Sequence, residues 1–301
     1  MERYLSFHAW AKKTFGRKVY RLSLATGFGC PNRDGTVSRG GCSFCAEGSG
    51  AFCAPGALPM EEQLALARLA VAKKTKNAPQ VGYVAYFQSY TNTHGPLEVQ
   101  EKLFTQALEE PDVVALGVAT RPDCLPEPVL ALLEKLNRKK PVWVELGLQT
   151  ANDHTARALN RGYPTQVYVN ACQELRTRGI GVVTHLILGL KGEGPEDLRR
   201  SVELAGSLSQ GVKLQQLQIL QGTPLAQDPW PTLSLEEYLP LLADCLRRLP
   251  PDRVIHRLWG DPDRSQLIAP GWSRDKKRVM GQVQAYLDTH NVIQGADYDP
   301  Q

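Results

Sequence analysis

Apolar runs of strand length alternate along this chain with segments of helical spacing, and no other feature limits the possible folds as strongly. The runs are Val19–Leu24, Val81–Phe87, Val113–Ala119, Val142–Leu148, Gly181–Leu188 and Leu214–Leu220. Between them, Met60–Lys74, Leu97–Leu108, Pro128–Leu136, Thr165–Arg176 and Pro195–Ser207 carry apolar residues at three- and four-residue intervals. Pro195-Glu196-Asp197 opens the last of these with a proline and acidic residues in the first turn, as a helix start should. Strand and helix in strict alternation predict an α/β fold with a parallel sheet and crossover helices. Six βα units fit between residues 19 and 230, so the expectation is an incomplete (β/α)6 TIM-type barrel, with its chemistry at the C-terminal ends of the strands. Residues 1–18 form an N-terminal extension and 19–230 the core barrel. Beyond the break Asp228-Pro229-Trp230-Pro231, the helical stretch Ser234–Arg248 begins a helical C-terminal extension, 231–301.

With 301 residues, 42% of them apolar, the chain can bury one large core. Its net charge of +4, from 35 basic and 31 acidic residues, does not by itself demand a polyanionic partner. Basic runs such as Arg138-Lys139-Lys140 and Lys276-Lys277-Arg278 read as solvated helix ends or loops. Met1 to Tyr20 lacks an apolar signal core, and nothing approaches the roughly 18 apolar residues of a membrane span; a cytoplasmic protein without a membrane partner is expected. Four of the seven cysteines lie between residues 30 and 53, with single ones at 124, 172 and 245, a distribution unsuited to a secreted disulfide framework.

That cysteine-rich segment directly follows the first strand. Gly29-Cys30-Pro31-Asn32-Arg33-Asp34-Gly35 and Arg39-Gly40-Gly41-Cys42-Ser43-Phe44-Cys45 space three thiols as C-x11-C-x2-C. Thiolates are the ligands of iron–sulfur clusters, and the glycines let the backbone wrap a compact inorganic core. Three ligands for four irons leave one iron open to a further ligand. The alternative is a zinc loop completed by Cys53 or a histidine, although no second C-x2-C or H-x3–5-H pair accompanies it.

The loop resembles that of the radical S-adenosylmethionine (SAM) superfamily, and its surroundings are similar to the YhcC/YtqA family, related to the catalytic subunit of elongator. That family has a longer first cysteine spacing than the common C-x3-C-x2-C. The likeness runs through Phe15-Gly16, the Gly-Phe-Gly-Cys-Pro-Asn-Arg-Asp-Gly run at 27–35 and Gly-Gly-Cys-Ser-Phe-Cys at 40–45. It continues through Tyr86-Phe87-Gln88-Ser89-Tyr90-Thr91-Asn92-Thr93, Thr120-Arg121-Pro122-Asp123, Glu145-Leu146-Gly147-Leu148-Gln149-Thr150 and His185-Leu186-Ile187-Leu188-Gly189-Leu190. The resemblance implies a barrel of the radical SAM type and a [4Fe–4S] cluster on Cys30, Cys42 and Cys45, whose open iron chelates SAM.

Each later match falls just past an expected strand end. By the resemblance, Gln88, Ser89 and Tyr90 stand where the SAM amino group is received, and Glu145 and Gln149 face its ribose and methionine. Leu186 is a further SAM contact, Gly189 permits close approach of the adenine, and Gln218 with the Gln221-Gly222-Thr223-Pro224 turn closes the nucleoside pocket. Arg121 presents a planar donor group suited to a carboxylate or phosphate, or else pairs with Asp123 or Glu127. A glutamate inside Val142–Leu148 is costly to bury unpaired, which favours a ligand-facing role. His185 is either a satisfied core residue or, with Arg121, a catalytic candidate. Tyr4, Phe7, Trp10, Trp259, Trp272 and Arg274 either stack bases or form the core of a lid.

The implied chemistry is reductive cleavage of SAM to methionine and a 5′-deoxyadenosyl radical, with flavodoxin or ferredoxin as electron donor. For the substrate, the resemblance implies tRNA, with conversion of carboxymethylaminomethyl-uridine at the wobble position to aminomethyl-uridine. The rival enzyme is a radical SAM protein acting on a small metabolite or peptide, and the rival outside catalysis is a zinc-stabilised RNA-binding module.

Overall fold

The computed structural model describes residues 2–46, 53–76 and 80–299. In chain order its elements are α1 (Phe7–Phe15), β1 (Lys18–Leu24), α2 (Pro31–Asp34), α3 (Met60–Thr75), β2 (Val81–Phe87), α4 (Leu97–Glu109), β3 (Val113–Thr120), α5 (Glu127–Asn137), β4 (Val142–Gln149), α6 (Asp153–Ala158), α7 (Thr165–Thr177) and β5 (Gly181–Leu188). There follow α8 (Pro195–Leu208), β6 (Gly211–Gln216), β7 (Ile219–Leu220), α9 (Pro224–Gln227), α10 (Leu235–Arg248), β8 (Val254–Arg257), β9 (Leu267–Ala269) and α11 (Lys276–Thr289).

A parallel sheet curls in the order β1-β2-β3-β4-β5-β6-β8. Helices cover its outer face, where Phe87 meets Phe104 edge-on at 4.8 Å and Leu133, Leu146, Leu186 and Leu214 are fully enclosed. Each such side chain contributes about 1.5–3 kcal/mol relative to exposure. With the outer face under helices and the inner face enclosed by the curl, strands read as continuous apolar runs instead of alternating ones, which is why β2 and β5 coincide with their expected bounds.

Two differences from the sequence expectation bear on the site. The run Leu214–Leu220 is two strands: β6 begins earlier, at Gly211, and ends at Gln216, while Ile219–Leu220 leaves the sheet to pair antiparallel with β9. The segment 231–301 also does more than supply helices, because β8 extends the sheet to seven strands. Four residues of mixed polarity, Val-Ile-His-Arg, carry no usable periodicity; β8 is held by pairing along β6 and by the Leu5–Ser6 segment, where Ile255 N donates to Leu5 O at 2.8 Å.

Helix α1 closes the bottom of the curl. Ser6 caps it, its hydroxyl accepting from Ala9 N at 3.1 Å, and the helix sets Phe7 and Trp10 against Trp143 on β4, each pair with centroids 6.2 Å apart. Half-buried Phe7 and Trp10 therefore form a plug, and half-buried Trp272 packs on Tyr238 at 5.4 Å, as the core reading of these aromatics expects. No helix among the described residues is long and apolar enough to cross a membrane.

Candidate functional site

A cavity of about 380 Å³ opens at the C-terminal ends of the strands, and Cys30, Cys42 and Cys45 all line it. Proline at the first position of α2 starts that turn on Cys30, and Gly35, at φ 95°, ends it in the left-handed region. The rest of the loop is tied down from across the barrel. Ser43 N donates to Leu159 O at 2.9 Å, Asn160 Nδ2 to Gly41 O at 2.8 Å, and Leu225 N to Ser43 O at 3.1 Å. Asn32 is fully buried and donates to Cys42 Sγ at 3.5 Å, while Arg33 donates to the carbonyl of Cys45 and lies 5.6 Å from the centre of the Tyr90 ring.

Burial, and then the neighbouring Cys45, push the Cys42 thiol up to about 12, so this sulfur becomes a thiolate only when a cation takes its charge. Three thiols in one half-enclosed cavity suit an iron–sulfur cluster. Cys53, the fourth thiol of the zinc alternative, is not among the residues lining the cavity.

Of the expected SAM contacts, Gln88, Tyr90, Glu145, Gln149 and Gln218 line this cavity. Gln149 takes φ 64°, a costly conformation for a side-chain-bearing residue, at a register slip between β4 and β5. The strand end is clamped by Arg161, which is 1% exposed and donates to Leu148 O at 2.6 Å and Thr150 O at 2.7 Å. Gln218 and Gln216 donate to Gly260 O at 2.9 and 3.1 Å and so draw Asp261 and Asp263 over the mouth. The other expected contacts are not brought here. Ser89 lies between two lining residues without itself lining the cavity. Leu186 sits in the outer, helix-covered core, because strand alternation sends its side chain away from its neighbours His185 and Ile187. Gly189 lines a separate groove, and the close approach it permits is to Leu233, 2.6 Å from where a Cβ would stand.

The polar candidates are engaged with one another. Arg121 grips Asp123 through Nε at 2.9 Å and Nη2 at 2.7 Å, which is the ion-pair reading, and gives Nη1 to Arg161 O at 3.0 Å. Glu145 is 1% exposed, and its Oε2 accepts from Tyr86 at 2.7 Å, from His185 Nε2 at 2.8 Å and from Lys213 Nζ. Burial raises the carboxyl, but Lys213, His185 and Arg21 outweigh it and hold Glu145 well below the usual range. Burial and then Lys213 depress His185 to about 4, so it is a neutral ring donating to that carboxylate. Glu145, expected as a contact to the SAM ribose or methionine, lines the cavity with its Oε1 unpartnered, while its Oε2 is the centre of an internal network. Sequence reasoning missed Lys213, Tyr86, Arg21 and Arg257. The available signal was Lys213 beside the apolar run, but that run was read from Leu214 onward.

The Radical SAM superfamily profile matches residues 25–205, and the Radical SAM C-terminal domain profile matches 209–289. Protein YtqA of Bacillus subtilis is 38% identical over 300 residues, covering 98% of this chain and 92% of its own length. YhcC of Escherichia coli K12 is 38% identical over 287 residues, covering 93% and 91%. The solved structure of Elp3 from the archaeon Methanocaldococcus infernus, lacking its N-terminal residues, shares the fold with a TM-score of 0.64, at 16% identity over 92% of this chain and 64% of that one.

Proposed function

This chain belongs to the radical SAM superfamily, in the group containing YtqA and YhcC, whose enzymes use a [4Fe–4S] cluster and SAM; we propose that it converts carboxymethylaminomethyl-uridine at the tRNA wobble position to aminomethyl-uridine. In this reading Cys30, Cys42 and Cys45 hold the cluster. When bound, the cluster supplies the electron that splits SAM into methionine and a hydrogen-abstracting 5′-deoxyadenosyl radical. Gln88, Tyr90, Gln149 and Gln218 provide the polar contacts for SAM within the same cavity. Phe44 and Tyr163 line that cavity and restrict water, and the engaged side chains of Arg121 and Glu145 keep its walls in place. An electron donor of the flavodoxin or ferredoxin kind completes the system.

The observation that carries the RNA reading is the charge at the cavity mouth. Exposed Lys276 pairs with the lining residue Asp261 at 2.6 Å, which brings the first turn of α11, with exposed Lys277 and Arg278, to the rim. Exposed Arg264 stands between lining residues Asp263 and Gln266. Cations there meet phosphates while one base enters below. The test is the nucleoside profile of tRNA from a deletion strain: carboxymethylaminomethyl-uridine accumulates and aminomethyl-uridine is lost. An unchanged profile refutes the reading and favours a small metabolite or peptide. With purified protein, reversing Lys276, Lys277 and Arg278 to Glu weakens tRNA binding and flattens the log–log salt dependence by about 2, since each single-strand phosphate contact contributes roughly 0.7.

A further inference from the structure

Below the thiols and the strand ends, the cavity floor carries more positive than negative charge. The register of the sheet sets His185 beside Lys213 and Lys213 beside Arg257 on adjacent strands, so their side chains form one row facing inward. Arg21, from β1, reaches the same interior and meets His256 Nδ1 at 2.9 Å. Against Arg21, Arg257 and Lys213, whose ammonium burial pushes down to about 7 against the opposing pull of Glu145, stands one carboxylate, Glu145; its Oε2 is already occupied by Lys213, Tyr86 and His185, and its Oε1 is buried without a hydrogen-bond partner. Among the described residues the Arg257 side chain makes a single hydrogen bond, to Gln215 Oε1 at 2.8 Å, and no ion pair, although it lines the cavity. A guanidinium has five N–H donors. Arg257 thus presents unused donors toward the cavity, in a partly desolvated setting where an unbalanced cation is costly. The other cavity-lining arginines are neutralised in place, Arg121 by Asp123 and Arg161 by Asp153.

We propose that this floor is an anion subsite, in which Arg257 and Lys213 receive a carboxylate of the substrate. The proposal rests on the tRNA reading above, where the group to be removed, carboxymethyl, ends in a carboxylate and the product lacks one. An arginine fork matches a carboxylate in two parallel hydrogen bonds, and Lys213 adds charge from the neighbouring strand. The subsite makes the enzyme selective for the carboxylated side chain and positions the methylene next to the amine. It also favours release, since the product has nothing to hold these donors. The other anion entering the cavity is the carboxylate of SAM, and the experiment separates the two.

Two anticodon stem-loops serve as probes, one with 5-carboxymethylaminomethyl-uridine and one with 5-methylaminomethyl-uridine. The iron-loaded protein is titrated with each under anaerobic conditions, and KM and kcat are measured for the first. The variants are Arg257→Gln and the paired Lys213→Met/Glu145→Gln, which removes both charges of the buried pair together so that neither is stranded. The parent binds the carboxylated RNA at least tenfold more tightly than its partner. In both variants that preference collapses toward one, and KM for the carboxylated RNA rises about 100-fold, the scale of a lost charge-assisted contact, while kcat falls less. A preference that survives in both variants, with tRNA still modified, overturns the subsite and leaves the tRNA function standing. Weakened SAM binding with the RNA preference intact also overturns it, assigning the floor to SAM. If the parent binds neither RNA, the tRNA reading fails and takes this proposal with it.

Discussion

Replacing Lys213 by Met tests the buried charge network most directly. Lys213 and Glu145 are each 1% exposed, and Lys213 is the foremost of the cations offsetting the burial of Glu145. Methionine fills most of the lysine volume, so the change removes charge with little cavity. Breaking a buried pair from one side costs about 3–5 kcal/mol, because the remaining ion keeps its desolvation penalty. At pH 8 that is a fall in Tm on the order of 10 °C for a domain of this size, readable in a calorimetric or circular-dichroism melt. The double variant Lys213→Met/Glu145→Gln recovers part of the loss, because the Lys213–Glu145 pair goes together while buried Arg21 loses the carboxylate that offsets it. The pH dependence has a defined sign. In the parent, Glu145 sits below its unfolded value, so its stabilisation is present above about pH 4.3 and fades as pH falls through the depressed value, while Lys213, pushed down to about 7 by burial, costs most below that value and less above it. In Lys213→Met, either Glu145 or His185 takes up a proton on folding, and a group whose pKa is raised by folding stabilises at low pH and loses that contribution as pH rises. The deficit of the single variant is therefore largest at pH 8 and shrinks toward pH 5. A Tm within about 2 °C of the parent at pH 8, or a deficit that grows on acidification, would show that the network does not carry this energy.

Further outcomes follow from the rest of the site. Alanine at Cys30, Cys42 or Cys45 removes the brown colour and about four irons per chain from anaerobically prepared protein, whereas Cys53, Cys124, Cys172 and Cys245 variants retain both; stoichiometric zinc with no iron would contradict the cluster. Gln149→Ala weakens SAM binding by up to about tenfold, the worth of one hydrogen bond, and leaves the iron content unchanged; undiminished affinity in a titration removes Gln149 from the SAM contacts. Trp143→Ala empties the centre of the plug under the cavity, where the side chain is 6% exposed and meets Phe7 and Trp10. It costs about 3–5 kcal/mol in chemical denaturation, and a loss below 1 kcal/mol would mean that the plug is not packed as described.

The sequence by itself determined what depends on local pattern. Continuous apolar runs marked β2 and β5 to the residue, and Pro195 marked the start of α8, because periodicity and helix-start chemistry act over a few neighbours. The cysteine spacing pointed to one cluster loop for the same reason: its ligands lie within 16 residues of chain. Only the tertiary structure decided which side chains meet across the barrel. His185, Lys213 and Arg257 form a row because three strands far apart in sequence align in one register, and a slip of one residue would turn Lys213 to the outer core. The same long-range geometry turned Leu186 outward, placed Leu233 against Gly189, and engaged Glu145 with Lys213. Strand β8 is stable only because β6 and Leu5–Ser6 flank it, a condition that a four-residue stretch of mixed polarity cannot announce.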